Sequence, residues 1–168
     1  MSLVIDNRIF IGLGSNLTNS PENLARAVQL LQERLKTKII ASSLYFSEPV
    51  EVLEQPWFFN QVAFFEAAKE HTPTMILGKL QQIEQEMGRV HTYRYGPRII
   101  DLDLLLFKNW VFESDSLIIP HPKIEERLFV LAPLLELDPA LFHPRFNRSF
   151  RQILDDNQPR LSRCEIVK

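Results

Sequence analysis

The chain has 168 residues, 45% of them hydrophobic and 24% charged, a composition that fits a folded globular domain and excludes a disordered or membrane-embedded chain. Its 19 lysines and arginines nearly cancel 21 aspartates and glutamates, leaving a net charge of −2, so no global positive field draws it to nucleic acid or anionic lipid and any phosphate site has to be local. The one cysteine, Cys164, excludes an internal disulfide, no apolar stretch approaches the ~20 residues of a bilayer-spanning helix, and MSLVIDNRIF has no basic segment leading into an apolar one. A single domain over residues 1–168, located in the cytoplasm, is the expectation.

Taken in chain order, the apolar run Ile9 to Leu13, ending in Gly14, Ser15 and Asn16, predicts a buried strand entering a turn. Ser20 as cap, Pro21 at the first helical position and the spacing of Leu24, Val28, Leu31 and Leu35 predict an amphipathic helix. Lys38 to Phe46 and Phe58 to Phe65 read as two further strands. The polar loop between them, Ser47 to Gln55, is too long for a tight hairpin and is a candidate binding loop. Thr72 and Pro73 open a second helix with the stripe Ile76, Leu80, Ile83 and Met87, a polar face holding Gln81 and Glu84, and a stop at Gly88. Arg89 to Arg98, RVHTYRYGPR, lacks apolar periodicity and reads as a basic, aromatic loop before the strand Ile99 to Phe107, which Lys108 and Asn109 turn. A short strand near Leu117 to Ile119 meets the turn Pro120, His121, Pro122. Glu125 to Leu135 reads as helical, and nothing regular is assigned beyond Pro144. Strand, helix, strand, taken twice, is the order of an α+β ferredoxin-like sandwich, an antiparallel sheet covered by helices.

In IIDLDLLLF, strand alternation puts Asp101 and Asp103 on one face and Ile100, Leu102 and Leu104 on the other. Two positions span roughly 6.5 Å, so the pair could hold two cations ~4 Å apart, and all-oxygen ligands favour magnesium. Ions so placed would neutralise a polyphosphate and orient phosphorus for in-line attack. A bare DxD also fits two solvated edge-strand acids. On an otherwise apolar strand, however, their repulsion and poor strand propensity require a compensating partner.

Arg89, Arg94 and Arg98 precede this strand and Arg127 follows His121, supplying planar donor forks of the kind that grip phosphate oxygens and stabilise the charge of phosphoryl transfer. Each alone also fits a loop charge paired with Glu84, Glu86 or the aspartates. His121, held between two prolines, suits a phosphate or ribose contact as well as a structural turn. His71 and His143 have no acidic or cysteine neighbour at metal-ligand spacing and read as structural. Cys164 and the serines form no nucleophile pattern, and GLGSN lacks the Lys-Ser/Thr of a Walker loop. In QPWFFNQVAFF, Phe58, Asn60 and Val62 face one way. The Asn60 amide, with donor and acceptor in one plane, suits the edge of a flat heterocycle stacked on Phe58, although an ordinary core phenylalanine fits the spacing too.

Taken together, GLGSNL at 12–17, QPWFFNQV at 55–62, GRV and RYGPRIIDLDLLLF within 88–107, and IPHPKIEERLFVLAPL at 119–134 resemble the 6-hydroxymethyl-7,8-dihydropterin pyrophosphokinases over most of the chain. The resemblance implies a ferredoxin-like, usually monomeric enzyme of folate biosynthesis that moves the β,γ-diphosphate of ATP onto the hydroxymethyl group of the pterin and releases AMP. It implies Asp101 and Asp103 as ligands of two magnesium ions, and Arg89 and Arg98 as the phosphate-contacting residues that assist transfer. Asn60 would read the pterin, Phe58 and Phe129 would wall its ring, and Ser47 and Pro49 would lie in the loop beside it. Gln81, Glu84, Tyr95, Leu104, His121 and Arg127 fall on the ATP side. No general base stands out, so positioning and charge neutralisation would carry the chemistry, with Ser47 to Gln55 and Arg89 to Arg98 as lids.

The chain departs from the family at four places: His91, where many members carry a second arginine, Ser116 in place of an arginine, Tyr95 in place of a tryptophan, and Glu51 at a position that is often glycine. These changes bear on ATP affinity and loop closure. The expected partners are ATP and the pterin, with no nucleic acid and no membrane, and association with the next folate-pathway enzyme is left open. An RNA-binding module of similar topology would need its sheet aromatics without an acidic strand and a K/R-G-F/Y block that is absent. A metal-dependent phosphohydrolase would instead release inorganic phosphate without any pterin.

Overall fold

The computed structural model describes residues 6–90, 93–158 and 162–167, so His91 lies outside the described residues. β1 (Arg8–Ser15) alternates as the sequence predicts, with Ile9, Ile11 and Leu13 entering one core and Phe10 another. α1 (Ser20–Leu35) buries Leu24, Leu31 and Leu35. Its cap is Asn19, in the left-handed region at φ 59°, and not Ser20, because the Ser20 hydroxyl is already engaged with Leu17 O and Ser15 Oγ. The expected strand Lys38 to Phe46 is split into β2 (Ile40–Ala41) and β3 (Tyr45–Ser47). Both pair with β4 (Phe58–Glu66), but from Ile40↔Phe64 to Tyr45↔Asn60 six residues oppose five. Ser42 fills the irregularity, its N donating to Val62 O at 2.8 Å and its Oγ accepting from Val62 N at 3.1 Å.

α2 (Pro73–Glu86) is capped by Thr72, whose Oγ1 accepts from Met75 N at 3.2 Å, and Gly88 at φ 81° lets the chain leave it. β5 (Asp101–Phe107) follows, then the small ribbon of β6 (Phe112–Glu113) and β7 (Ile118–Ile119). α3 (Leu128–Leu137) begins three residues after the expected Glu125, because turns closed by Ile124 N to His121 O and Lys123 N to His121 Nδ1 occupy the chain after Pro122. The tail left unassigned in the sequence carries β8 (Phe142–His143), β9 (Arg148–Ser149), α4 (Phe150–Asn157) and β10 (Cys164–Ile166).

The main sheet runs β10-β3-β4-β1-β5, all antiparallel neighbours, which with two helices on one face is the expected ferredoxin-like arrangement. α1 and α2 cover the face carrying Ile9, Ile11, Leu13, Leu102 and Leu104. α3 and α4 cover only part of the other, over Phe10, Val62, Leu105 and Leu106. A bulge in β5, where Phe10 pairs with Leu106 but Ile11 with Leu104, sends both Leu105 and Leu106 to the α3 side. Beyond the bulge alternation resumes, leaving Asp101 and Asp103 on the uncovered part of that face. No helix among the described residues is long and apolar enough to cross a membrane.

His143 is 2% exposed, stacked on Phe146 at 4.6 Å between ring centroids and against Phe150 at 5.4 Å. Burial, helped by the Arg145 charge, lowers its pKa from 6.5 to about 4. The unfolded chain therefore binds a proton that the folded chain refuses between these values, and stability falls as pH drops through that window. His143→Asn should lower the melting temperature at neutral pH yet flatten its decline between pH 6.5 and 4. An unchanged slope would exclude this histidine as a source of acid sensitivity.

Candidate active site

The uncovered sheet face opens into a cleft of about 410 Å³, lined from β1, β4, β5 and the loops around residues 47–55, 94–98 and 121–130. Its floor is set by register. Gly14 pairs with Asn60 on one side and Asp101 on the other, and Gly12 with Val62 and Asp103, so Asn60, Gly14 and Asp101 form one row across three strands. Two strand spacings separate the amide from the acid by roughly 9.5 Å. A Cβ on Gly14 would come 3.4 Å from Asn60 Oδ1 and 3.9 Å from the Phe58 ring, so glycine keeps the row flat.

At the acidic end, Arg89 Nη1 and Arg98 Nη1 each lie 2.9 Å from Asp101, while Arg127 Nη1 is 3.6 Å and His121 Nε2 3.9 Å from Asp103. Burial, then the neighbouring Asp101 charge, pushes the Asp103 carboxyl up to about 7, and Arg127 and Arg98 offset this only in part. A carboxylate whose ionised form is disfavoured in this way, with a second one two residues away on the same face, fits a hard divalent cation, which reverses the penalty. His121 is itself lowered to about 4, chiefly by burial and then by Arg127, so at neutral pH it is an uncharged donor or acceptor.

At the other end Asn60 is 5% exposed. Its Nδ2 donates to Ser47 Oγ at 2.8 Å and Phe58 O at 3.3 Å. Its donors are thus committed, and the amide offers the cleft its Oδ1 only, in place of the two-function edge expected from sequence. The Ser47 hydroxyl, accepting from Asn60, keeps its own proton to give. Phe58, Phe129 and Pro49 line the same space, and the Arg98 guanidinium carbon lies 5.5 Å from the Phe58 ring centroid. Arg98 therefore joins the two ends, and its Nε is buried without a hydrogen-bond partner among the described residues.

Of the residues singled out in the sequence, Ser47, Pro49, Phe58, Asn60, Tyr95, Arg98, Asp101, Asp103, His121, Arg127 and Phe129 line this cleft. Arg89 lines an adjoining groove with Arg94, Tyr95 and Arg98. Glu84 does not stand on a solvated polar face: it is 8% exposed, accepts Leu102 N at 2.7 Å and pairs with Arg89. Gln81 is exposed on α2, outside the cleft lining, one turn from Glu84. Leu104 is 3% exposed, its side chain in the α1/α2 core because the alternation that presents both aspartates turns it away, so a contact from it to the cleft would come from its backbone. Ser116 is exposed.

Sequence reasoning missed Asn16 and Gln55 as organisers of the site. Asn16 N donates to Arg98 O at 3.2 Å and its Oδ1 accepts from Arg98 N at 2.9 Å, while its Nδ2 donates to Gln55 Oε1 and Pro56 O, both at 3.0 Å. Gln55 Nε2 in turn holds Val52 O at 2.8 Å and Tyr95 O at 3.0 Å. The end of β1 and both candidate lids are thereby tied together. Their presence inside GLGSNL and QPWFFNQV was the available signal, but a polar residue after a strand reads first as a turn.

The profile of the 7,8-dihydro-6-hydroxymethylpterin-pyrophosphokinase (HPPK) family matches residues 10–139. This chain belongs to that family. Among its relatives is the 2-amino-4-hydroxy-6-hydroxymethyldihydropteridine pyrophosphokinase of Bacillus subtilis, 41% identical over 134 residues that cover 79% of each chain. The folic acid synthesis protein fol1 of Schizosaccharomyces pombe is 40% identical over 87% of this chain, but the chain spans only 20% of that protein's length. A crystal structure of wild-type Plasmodium falciparum HPPK-DHPS with pteroate shares the fold, at TM-score 0.69 and 16% identity over 90% of this chain and 44% of that one. All the motif blocks lie within the matched span, and the segment carrying β8, β9, α4 and β10 lies beyond it.

Proposed function

We propose that the cleft binds ATP and 6-hydroxymethyl-7,8-dihydropterin together and transfers the β,γ-diphosphate of ATP to the pterin hydroxymethyl oxygen, releasing AMP, in folate biosynthesis. Family membership supports the reaction, and the row Asn60, Gly14, Asp101 supports its placement. The row sets a heterocycle reader and an acid pair apart on the scale of two fused rings with a one-carbon arm, with a glycine between them in the row. Phe58 and Phe129 stack on the ring, Asn60 Oδ1 accepts from its edge and Ser47 donates to it. Tyr95, His121, Arg127 and the Glu84 region serve the nucleotide side.

Two magnesium ions held by Asp101 and Asp103, with phosphate oxygens and water completing their shells, would neutralise the polyphosphate and acidify the attacking hydroxyl. Arg89 and Arg127 are meanwhile paired to Asp101 and Asp103. Acids holding cations would release these guanidiniums to the phosphates, so ATP and Mg2+ should each tighten the other's binding. Arg98 meets the charge that grows as AMP leaves. We propose that the enzyme is a monomer located in the cytoplasm. The names HPPK-DHPS and folate synthesis bifunctional protein among related chains support hand-over of the product to a further folate-pathway enzyme.

AMP should form from ATP only when the pterin and Mg2+ are both supplied; phosphate release without pterin would support a phosphohydrolase instead. Within this reading Asn60→Ala removes the edge acceptor and leaves Ser47 without its donor, so the pterin Kd should rise ~10-fold to 100-fold while ATP affinity holds within about twofold. Calorimetric titration with each ligand decides this, and equal losses for both would remove Asn60 from pterin recognition.

A further inference from the structure

Lys123 is a cleft cation that neither aspartate holds. It lines the cleft beside His121 and Arg127, and its ammonium bonds the carboxylate of Glu51, on the loop between β3 and β4. Glu51 thus sits as an anion among cleft cations: its carboxyl is held below the usual range chiefly by Lys123, with the Arg127 and Arg94 charges adding to this. Lys123 also lies 5.2 Å over the Tyr95 ring, whose other close cation is Arg94 at 5.0 Å.

We infer that Lys123 is a further contact for the terminal phosphates of the nucleoside triphosphate, and that Glu51 holds its place until the nucleotide arrives, the carboxylate leaving as phosphate oxygens take the ammonium. The inference rests on the reading of the cleft as an ATP site. The Lys123 and Glu51 side chains are 35% and 37% exposed, so their pair contributes little to the fold and is readily exchanged. A terminal phosphate carries more charge than one carboxylate and competes well for the same ammonium. The exchange frees the loop around Glu51 and the lysine under Tyr95 in one step, which couples nucleotide arrival to rearrangement of both loops at the cleft mouth. It also gives a physical role to Glu51, at a position where the resemblance leads one to expect glycine.

Calorimetric titration in Mg2+ with ATP and with AMP tests this on the intact chain. Lys123→Ala should weaken ATP about tenfold and leave AMP within twofold, and Lys123→Arg should restore most of the loss. Glu51→Gln should tighten ATP in the wild-type background and do so less in the Lys123→Ala background, since the pair it breaks is then already gone. Unchanged ATP affinity in Lys123→Ala, an equal loss for AMP, or a Glu51→Gln effect identical in both backgrounds would overturn the inference while leaving the pyrophosphokinase reading intact. A wild-type chain that binds no ATP would overturn both.

Discussion

Asp101→Ala and Asp103→Ala are each expected to fold and to lose turnover by about a thousandfold or more. Each removes half of an acid pair that the β5 bulge sets on the open face of an otherwise buried strand. The fold should tolerate the loss because the pair opposes it: the Asp103 carboxyl sits at about 7 instead of 3.8, driven by burial and by Asp101. A raised carboxyl pKa means the native chain binds more protons than the unfolded one between those values, so in the absence of Mg2+ stability falls as pH rises through them. Asp103→Asn, which keeps the shape without the charge, should therefore flatten this decline, and added Mg2+ should stabilise the wild type more than the variant. Mn2+ titration followed by electron paramagnetic resonance separates lost metal binding from other causes of inactivity. Near-wild-type turnover in both alanine variants would remove the acid pair from the chemistry.

Arg98→Ala carries the second large effect, a fall in turnover of about 100-fold with little change in ATP dissociation constant. Arg98 is fixed before any substrate arrives. Asn16 clamps its backbone from both sides, Asp101 holds Nη1 at 2.9 Å, and Phe58 lies under the guanidinium, while Nε is left buried and unpartnered. A donor kept dry and unused suits an oxygen whose charge appears only during transfer. Arg98→Lys restores charge without the planar fork and should recover only part of the rate. Single-turnover kinetics beside equilibrium ATP binding distinguish the cases: losses of rate and affinity in equal measure would make Arg98 a ground-state clamp.

The order β1, α1, β4, α2, β5 was legible because each element announces itself by apolar period and by Thr72, Pro73 and Gly88 as punctuation. The split at Ser42 was not, since it depends on hydrogen bonds to Val62 twenty residues away. β10 is three residues long and finds its partner in β3, far back along the chain, which no local pattern reveals. At the site, alternation placed Asp101 and Asp103 correctly and also turned Leu104 away. The resemblance sets Leu104 on the ATP side, and its side chain follows the alternation into the α1/α2 core. Helical period put Glu84 on a polar face, but Leu102 N and the Arg89 guanidinium meet its carboxylate there and bury it. That Asn60 offers the cleft only its Oδ1 could not be read from its position, because Ser47 reaches its amide nitrogen only through the β3 and β4 pairing.

In the proposed reaction a diphosphate moves intact from ATP to the pterin. Phosphorus-31 nuclear magnetic resonance of the products formed with ATP, Mg2+ and 6-hydroxymethyl-7,8-dihydropterin tests it directly. The predicted result is one AMP resonance together with two mutually coupled resonances of a pterin-methyl diphosphate ester, in equal amounts. ADP with a pterin monophosphate, or ADP with inorganic phosphate, would contradict it.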